Sequence, residues 1–135
     1  MREYTDYIVV HCAATPPSMD IGRDTIDEWH KERGWDGIGY HFVIRRDGSV
    51  EAGRHVDAVG AHVRGSNLRS VGICMIGGAN EEREPEENYT IDQWKSLSTT
   101  VEFLRRMYPD AKVIGHNEVS DKACPCFDVQ EWLIN

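Results

Sequence analysis

The chain has 135 residues, of which 40% are hydrophobic and 28% charged, and its formal net charge at pH 7 is −8. This length suits one domain whose core needs no disulfide bonds. The negative charge disfavours nucleic acid and anionic lipid as direct partners, because proteins that bind them usually present basic patches. We therefore expect a single soluble domain that uses neither partner.

The cysteine pattern indicates a chain whose thiols stay reduced. Its cysteines are Cys12, Cys74, Cys124 and Cys126, and one proline between the last two would strain a bridge joining them. The N-terminus is polar and acidic, unlike a signal peptide, and no apolar run reaches the length of a membrane span. We expect synthesis in a cytoplasm and release to any extracellular substrate by another factor.

Hydrophobic patterning predicts five strands. Each is a short run rich in β-branched or aromatic residues, which suits a strand buried in a sheet. Asp47-Gly48 separates two of these runs and is a strong hairpin signal. The segment 53–68 contains several glycines and no sustained period, so we expect a loop there. In chain order, the predicted strands are residues 7–10, 40–45, 50–52, 71–76 and 112–114.

Three helices are predicted around these strands. Residues 25–28 form a capping-box pattern, so the first helix should begin there and end at Gly34. Residues 90–93 form a second capping box before a long apolar stripe at helical spacing. Residues 128–134 are expected to form a short terminal helix. The order β-α-β-β-β-α-β-α predicts an α/β fold in which helices flank a central mixed, mostly parallel sheet.

Two histidines and one cysteine are candidate metal ligands. His11 follows the first apolar run and His116 follows the last, so both reach one sheet edge if those strands are parallel neighbours. Cys124 lies in the loop after His116. Two imidazoles, one thiolate and an open fourth position are typical of a catalytic zinc, whereas structural zinc is usually closed by four protein ligands. Cys126 is a rival ligand, beside a phenylalanine that should anchor in the core.

Several neighbouring residues have a structural alternative to a functional role. Tyr40 lies in a predicted strand, where an aromatic ring often packs in the core. Cys12 beside His11 suggests a nucleophilic cysteine, yet adjacent strand residues point to opposite faces. For the same reason His41 should face away from Tyr40 and is not expected to be a ligand. Glu118 is either a hydrogen-bond partner of a metal-binding histidine or a surface carboxylate.

A series of motifs runs in order along nearly the whole chain. They are Val10-His11-Cys12-Ala13-Ala14-Thr15, Trp29-His30-Lys31-Glu32-Arg33-Gly34-Trp35, Gly39-Tyr40-His41-Phe42, Ala58-Val59-Gly60-Ala61-His62, Gly72-Ile73-Cys74-Met75-Ile76-Gly77-Gly78, His116-Asn117-Glu118-Val119 and Lys122-Ala123-Cys124-Pro125. Together they closely resemble the zinc-dependent N-acetylmuramoyl-L-alanine amidases. That family includes phage lysozymes of the T-odd type and is related to the peptidoglycan-recognition proteins.

The resemblance implies one amidase catalytic domain over residues 1–135 and assigns its site. It implies that His11, His116 and Cys124 hold one Zn²⁺ per chain, and that Tyr40 and Lys122 are catalytic. In such enzymes zinc activates water, while a phenol and an ammonium group can stabilise the oxyanion of the amide being cut. The implied substrate is bacterial peptidoglycan, cut between the lactyl group of N-acetylmuramic acid and L-alanine, as by a phage or prophage endolysin.

The resemblance also indicates binding residues and two alternative functions. His62 and Asn67 flank a glycine-rich loop and are expected to line the substrate groove. One alternative is a muropeptide-binding module without catalysis, against which the retained Cys124, Tyr40 and Lys122 argue. The other is a regulator that contacts a phage RNA polymerase, which an N-terminal arm shorter than in the phage lysozymes disfavours. We expect the chain to be a monomer.

Overall fold

The computed structural model describes residues 1–135 and contains the predicted succession of elements. The strands are β1 (Tyr7–Cys12), β2 (Phe42–Ile44), β3 (Val50–Ala52), β4 (Ser70–Met75) and β5 (Lys112–Gly115). The α-helices are α1 (Arg23–Glu32), α2 (Ile91–Met107) and α3 (Val129–Ile134), and short 3-10 turns cover Asn67–Arg69 and His116–Glu118. None of the helices combines the length and apolar character needed to cross a membrane.

The five strands form one sheet in the order β3-β2-β4-β1-β5. β1 is parallel to both β4 and β5, β2 is parallel to β4, and only the β2–β3 hairpin is antiparallel. The prediction of a mixed, mostly parallel sheet is therefore confirmed. Val10 pairs with Gly115, so His11 and His116 follow paired residues on neighbouring strands.

The sheet separates two hydrophobic cores. The larger core packs α2 and α3 on one face, where Leu97 meets strand residues such as Ile73. The smaller core lies on the other face, where Ile26 of α1 packs with residues that include Val43. Side chains alternate along a strand, and Val10 belongs to the larger core. The next residue, His11, therefore faces the α1 side of the sheet.

The start of α1 differs from the prediction, because the cap comes from elsewhere in the chain. The helix begins at Arg23, before Thr25, and its N-cap is Gly22, which has no side chain to accept a hydrogen bond. Glu51 of β3 takes that role, since its Oε1 accepts from the Arg23 backbone N–H at 2.9 Å. A Cβ at position 22 would collide with the same oxygen, so glycine makes room for this tertiary cap.

The start of α2 follows its local pattern. Thr90 Oγ1 accepts from the Gln93 backbone N–H at 3.1 Å, and Gln93 Oε1 accepts from the Thr90 backbone N–H at 3.0 Å. The predicted capping box is therefore confirmed. The predicted strand at 40–45 is shorter than expected, with β2 limited to Phe42–Ile44. Tyr40 consequently lies in the segment that precedes the strand.

Candidate metal centre and active site

A groove opens beside the carboxyl ends of β1 and β5. Its volume is about 580 Å³, and its lining includes His11, Tyr40, His62, His116 and Lys122. In a parallel sheet, this edge is where connecting loops leave space for a ligand. The groove therefore gathers residues that are far apart in the sequence.

His11, His116 and Cys124 form a cluster at this edge. Their potential ligand atoms all lie within 4.8 Å of one another, and the rings of the two histidines are 4.6 Å apart between centroids. No other group of three histidine, cysteine or acidic residues in the chain converges in this way. Two imidazoles and a thiol suit zinc, whereas calcium and magnesium prefer oxygen ligands. The donor set therefore fits the metal that the sequence predicts.

The turn that carries His116 is held by its neighbours. Glu118 Oε2 accepts from the Gly115 backbone N–H at 2.7 Å, and Ser120 Oγ donates to the His116 carbonyl at 3.2 Å. The Glu118 carboxylate also accepts from Gln130 Nε2 at 3.1 Å. Glu118 thus ties the turn to α3 and makes no hydrogen bond to an imidazole. The suggestion that it supports a metal-binding histidine directly is wrong.

Cys124 and Cys126 have different environments, although one proline separates them. The Cys12 backbone N–H donates to Cys124 Sγ at 3.0 Å, which places the sulfur beside the end of β1. Cys126 Sγ instead donates to the Gly78 carbonyl at 3.2 Å. The cluster at the groove therefore contains Cys124 and excludes its rival.

Cys12 is unsuited to act as a nucleophile with His11. Its Sγ lies beside Gly78, where an added Cβ would be 2.5 Å from the sulfur, whereas His11 faces the groove. Contact with Cys124 is the main cause that raises the pKa of Cys12 to about 12. The thiol therefore stays protonated near neutral pH and packs as a neutral side chain.

His62 and Asn67 line the groove as expected, and both also hold its structure together. His62 Nδ1 lies 2.8 Å from His11 Nε2, and its Nε2 lies 3.3 Å from Ser70 Oγ. Asn67 Oδ1 accepts from the backbone N–H groups of His62 and Val63, each at 2.9 Å. Contact with substrate stays a prediction for both residues.

The buried imidazoles are neutral near pH 7. Burial is the main cause that lowers the pKa of His62 to about 3 and holds the pKa of His11 well below its usual value. Burial also lowers the pKa of His116, with a further contribution from the charge of Lys122. A metal ion binds the neutral form of imidazole, so the site needs no costly deprotonation of its histidines.

Tyr40 combines a packing role with a position at the groove. Its half-buried ring packs against the smaller core and lies 5.1 Å from the His11 ring between centroids. Burial raises the pKa of the phenol well above its usual value, so the hydroxyl is a neutral donor. Tyr40 thus packs in the core and lines the groove, and a catalytic role of its hydroxyl stays a prediction.

Lys122 lies on the loop between His116 and Cys124. Its backbone N–H donates to Ser120 Oγ at 3.2 Å, and its exposed side chain lines the groove. The loop thereby brings an ammonium group to the same cavity as Tyr40. Their catalytic roles stay predictions.

Several groove residues were missed by sequence reasoning. His30 stacks 4.5 Å from Trp35 and 5.6 Å from Tyr40 between centroids, and its Nδ1 accepts from the Gly39 backbone N–H at 2.9 Å. Arg33 and Arg64 add positive charge to the lining. A histidine, a tryptophan or an arginine does not by itself indicate a binding groove. His30, Arg33 and Trp35 could have been identified only because they belong to one of the family motifs.

His41 contacts backbone through both ring nitrogens, which agrees with the expectation that it is not a ligand. It is buried, its Nε2 lies 2.8 Å from the Ala58 carbonyl, and its Nδ1 accepts from the Gly72 backbone N–H at 3.0 Å. Both ring nitrogens are therefore used to join backbone segments.

The fold and the cluster of His11, His116 and Cys124 are those of a candidate metal-dependent hydrolase. Comparison with known proteins shows which family of hydrolases this is. The family model described as N-acetylmuramoyl-L-alanine amidase matches residues 1–127. The chain is 50% identical over 132 residues to the endolysin of Enterobacteria phage K11, covering 98% of this chain and 87% of that protein. It is 47% identical over 131 residues to the endolysin of Escherichia phage T7, covering 97% and 87%.

A solved structure agrees with this assignment. The endolysin N-acetylmuramoyl-L-alanine amidase LysCS from Clostridium intestinale superposes with a TM-score of 0.81 at 36% identity, covering 95% of this chain and 80% of that one. The chain belongs to the N-acetylmuramoyl-L-alanine amidase family.

Proposed function

We propose that this chain is a zinc-dependent peptidoglycan amidase of the endolysin type. It hydrolyses the amide bond between the lactyl group of N-acetylmuramic acid and L-alanine, and it reaches the cell wall after release by another factor. The observation that carries the proposal is the convergence of His11, His116 and Cys124 beside a groove, in a chain of the amidase family.

The three side chains would hold one Zn²⁺ and leave a coordination position for catalysis. Such an ion lowers the pKa of a bound water to about 7 and polarises a carbonyl group. Cys124 supplies one negative charge and the neutral histidines supply none, so the centre keeps a net positive charge. The hydrogen bond from the Cys12 backbone N–H holds the Cys124 sulfur beside β1, the strand that carries His11.

Tyr40 and Lys122 stabilise the negative charge that develops on the oxygen of the cut amide. The neutral phenol of Tyr40 donates a hydrogen bond from the core side of the groove, and Lys122 contributes an ammonium group from the exposed loop. Both are candidates for the group that passes a proton to the leaving amine.

The charge of the groove suits an acidic peptide. Arg33, Arg64 and Lys122 line it in a chain whose net charge is −8. Opposite charges attract a ligand and orient it as it enters. We infer that these cations receive the carboxylates of the peptidoglycan stem peptide, while His62 and Asn67 form the adjacent wall. The monomeric state and an RNA polymerase contact stay predictions from the family resemblance.

The test is release of new L-alanine amino groups from purified cell walls. The wild-type chain should release them, Cys124→Ser should abolish release, and thorough zinc removal should do the same. Cys126→Ser is the matched control and should retain activity, because that thiol contacts Gly78 and lies outside the cluster. Undiminished release from Cys124→Ser or from metal-free protein would contradict the zinc mechanism. Wall binding without any release by the wild type would favour the binding-module alternative.

A further inference from the structure

A chain of hydrogen bonds leads from the interior of the protein to His11. The Ser70 hydroxyl, which is fully buried, donates to the Ser66 carbonyl at 2.7 Å. A carbonyl oxygen only accepts, so this contact determines where the Ser70 proton lies. The Ser70 oxygen is then left to accept from a second neighbour.

That neighbour is His62. Its Nε2 lies 3.3 Å from Ser70 Oγ, so Nε2 carries the hydrogen and donates it to the serine oxygen. In a neutral imidazole the other nitrogen has no hydrogen and accepts. His62 Nδ1 therefore accepts from His11 Nε2 across 2.8 Å. Each donor in this series of three hydrogen bonds has one acceptor, and the direction of every bond follows from the Ser66 carbonyl.

The direction of these bonds determines which nitrogen of His11 can bind a metal. With its hydrogen on Nε2, His11 keeps the lone pair of Nδ1 free. The tautomer of a metal-binding histidine is set by the hydrogen bond of its other nitrogen. The partner here is another histidine, which was expected only to line the groove.

The surroundings of His62 form a narrow slot for its ring. An added Cβ at Gly60 would lie 2.6 Å from His62 Cδ2, and one at Gly72 would lie 2.6 Å from its Cγ and Nδ1. The backbone on either side is held by Asn67, which accepts from the N–H groups of His62 and Val63. Both the backbone and the ring plane of His62 are thus restrained, as an orienting group requires.

We propose that His62 is a positioning residue that sets the tautomer and ring orientation of His11 for metal binding, with Ser70 and the Ser66 carbonyl setting His62 in turn. The proposal rests on the proposed zinc site. It adds a role that is separate from substrate contact, because it acts on metal affinity in the absence of any substrate.

The test measures Zn²⁺ affinity by competition with a chromogenic chelator, without peptidoglycan. His62→Phe keeps a ring in the slot and removes the acceptor, so zinc affinity should fall by about 10–100-fold. His62→Gln restores a carbonyl acceptor for His11 Nε2–H and should recover most of the loss. His55→Phe, at an exposed histidine outside the groove, is the chemical control and should bind zinc as the wild type does. Thermal melting of the metal-free variants separates loss of affinity from loss of folding.

A second variant and a spectroscopic readout keep the proposal testable if His62→Phe fails to fold. Ser70→Ala removes the acceptor of His62 Nε2–H and should weaken zinc binding by about two- to tenfold, as expected for one neutral hydrogen bond. In the zinc-loaded wild type, ¹⁵N spectra of the histidine side chains should show His11 protonated at Nε2.

The outcomes distinguish this proposal from the proposed function. If His62→Phe folds and binds zinc as tightly as the wild type, the positioning role is overturned and the proposed amidase function is not. If only Ser70→Ala folds, wild-type zinc affinity in that variant has the same meaning. His11 protonated at Nδ1 in the zinc-loaded protein would overturn the positioning role as well. A wild-type chain that binds no zinc would overturn both.

Discussion

Two groups of polar side chains, each built around one buried residue, use their hydrogen-bonding capacity differently. In the Gln93 network, defined by Arg46, Asn88, Thr90 and Gln93, contacts are made within the chain. Gln93 donates to the carbonyls of Ile44 and Ile76 at 3.2 and 2.7 Å, and it accepts from Arg46 at 3.0 Å. In the cluster of His11, His116 and Cys124, ligand atoms converge beside an open groove instead.

The contrast separates polar side chains that stabilise the fold from those available to a ligand. A polar group that finds its partners inside the protein stabilises the fold and has little left to offer a ligand. A group of donors that converges on a cavity keeps capacity for a metal or a substrate. Changes at the groove should therefore reduce activity with little loss of stability, whereas changes in the Gln93 network should do the reverse.

Among changes that leave the proposed metal ligands in place, Tyr40→Phe should have the largest effect. Turnover on a soluble muropeptide should fall by about 10²–10³-fold, because one donor to the developing oxyanion is lost. Zinc content and the melting temperature should stay near wild type, since the ring still packs on the smaller core. Tyr4→Phe, at an exposed tyrosine, is the control. Full turnover by Tyr40→Phe would assign this tyrosine to packing alone.

Gln93→Leu tests the opposite side of the comparison. It leaves the Ile44 and Ile76 carbonyls and the Arg46 guanidinium without their buried partner. The Ile44 carbonyl keeps its bond from the Ile76 backbone N–H, and Arg46 keeps its bonds to the carbonyls of Ile76 and Asn88. Urea unfolding should therefore show a loss of roughly 1–3 kcal/mol, from the hydrogen bonds of Gln93 alone. Turnover of the folded fraction should be retained. An equal loss of stability and turnover would show that the network and the groove are coupled.

The pH dependence of stability should follow the buried histidines. Burial lowers the pKa of His41 to about 4 from its usual 6.5. A depressed histidine pKa contributes stability that is fully present above pH 6.5 and is lost as pH falls towards 4, at up to about 1.4 kcal/mol per pH unit for each group. Unfolding of the metal-free protein by urea at several pH values measures the slope.

A variant at His41 is the control for the slope of stability against pH. His41→Gln should reduce it, because one group no longer takes up a proton on unfolding. His30 and His62, whose pKa values are also lowered mainly by burial, should keep part of the dependence. A flat profile between pH 6.5 and 4.5 would contradict neutral buried histidines.

The smallest effect is expected at the helix cap of the Gln93 network. Thr90→Ala removes the side-chain oxygen that accepts from the Gln93 backbone N–H, and should cost about 1 kcal/mol. Thr99→Ala, at an exposed position of the same helix, should change stability by less than about 0.5 kcal/mol. Equal losses would mean that the cap adds nothing beyond helix propensity.

The two helix starts show where local sequence is sufficient. The capping box at Thr90 forms as its pattern predicts, because both partners lie within one turn of the chain. The similar pattern at Thr25 fails, because Glu51 reaches α1 from β3 and starts the helix earlier. A pattern that closes locally can be predicted, whereas a cap that crosses the structure cannot.

The residues of the groove also divide into those that a local pattern indicates and those that only the folded chain brings together. His11 and His116 are recognisable because each follows an apolar run, and Cys124 because a thiol, a usual zinc ligand, lies in the loop after His116. His30, Arg33 and Arg64 were missed because a histidine on an apolar helix face and two exposed arginines are ordinary sequence features. The folded sheet edge brings them to the cavity.

The order of the elements, the mixed sheet and the candidate ligands can be predicted from the sequence, because apolar periodicity and residue chemistry are properties of short segments. Local pattern does not separate Cys124 from Cys126, which lie two residues apart; only the folded chain gives their sulfurs different partners. The folded chain also brings His62 into contact with His11 and Ser70, residues that no local pattern connects. Hydrogen-bond direction depends on distances across the fold, and those distances exist only once the parallel strands have paired.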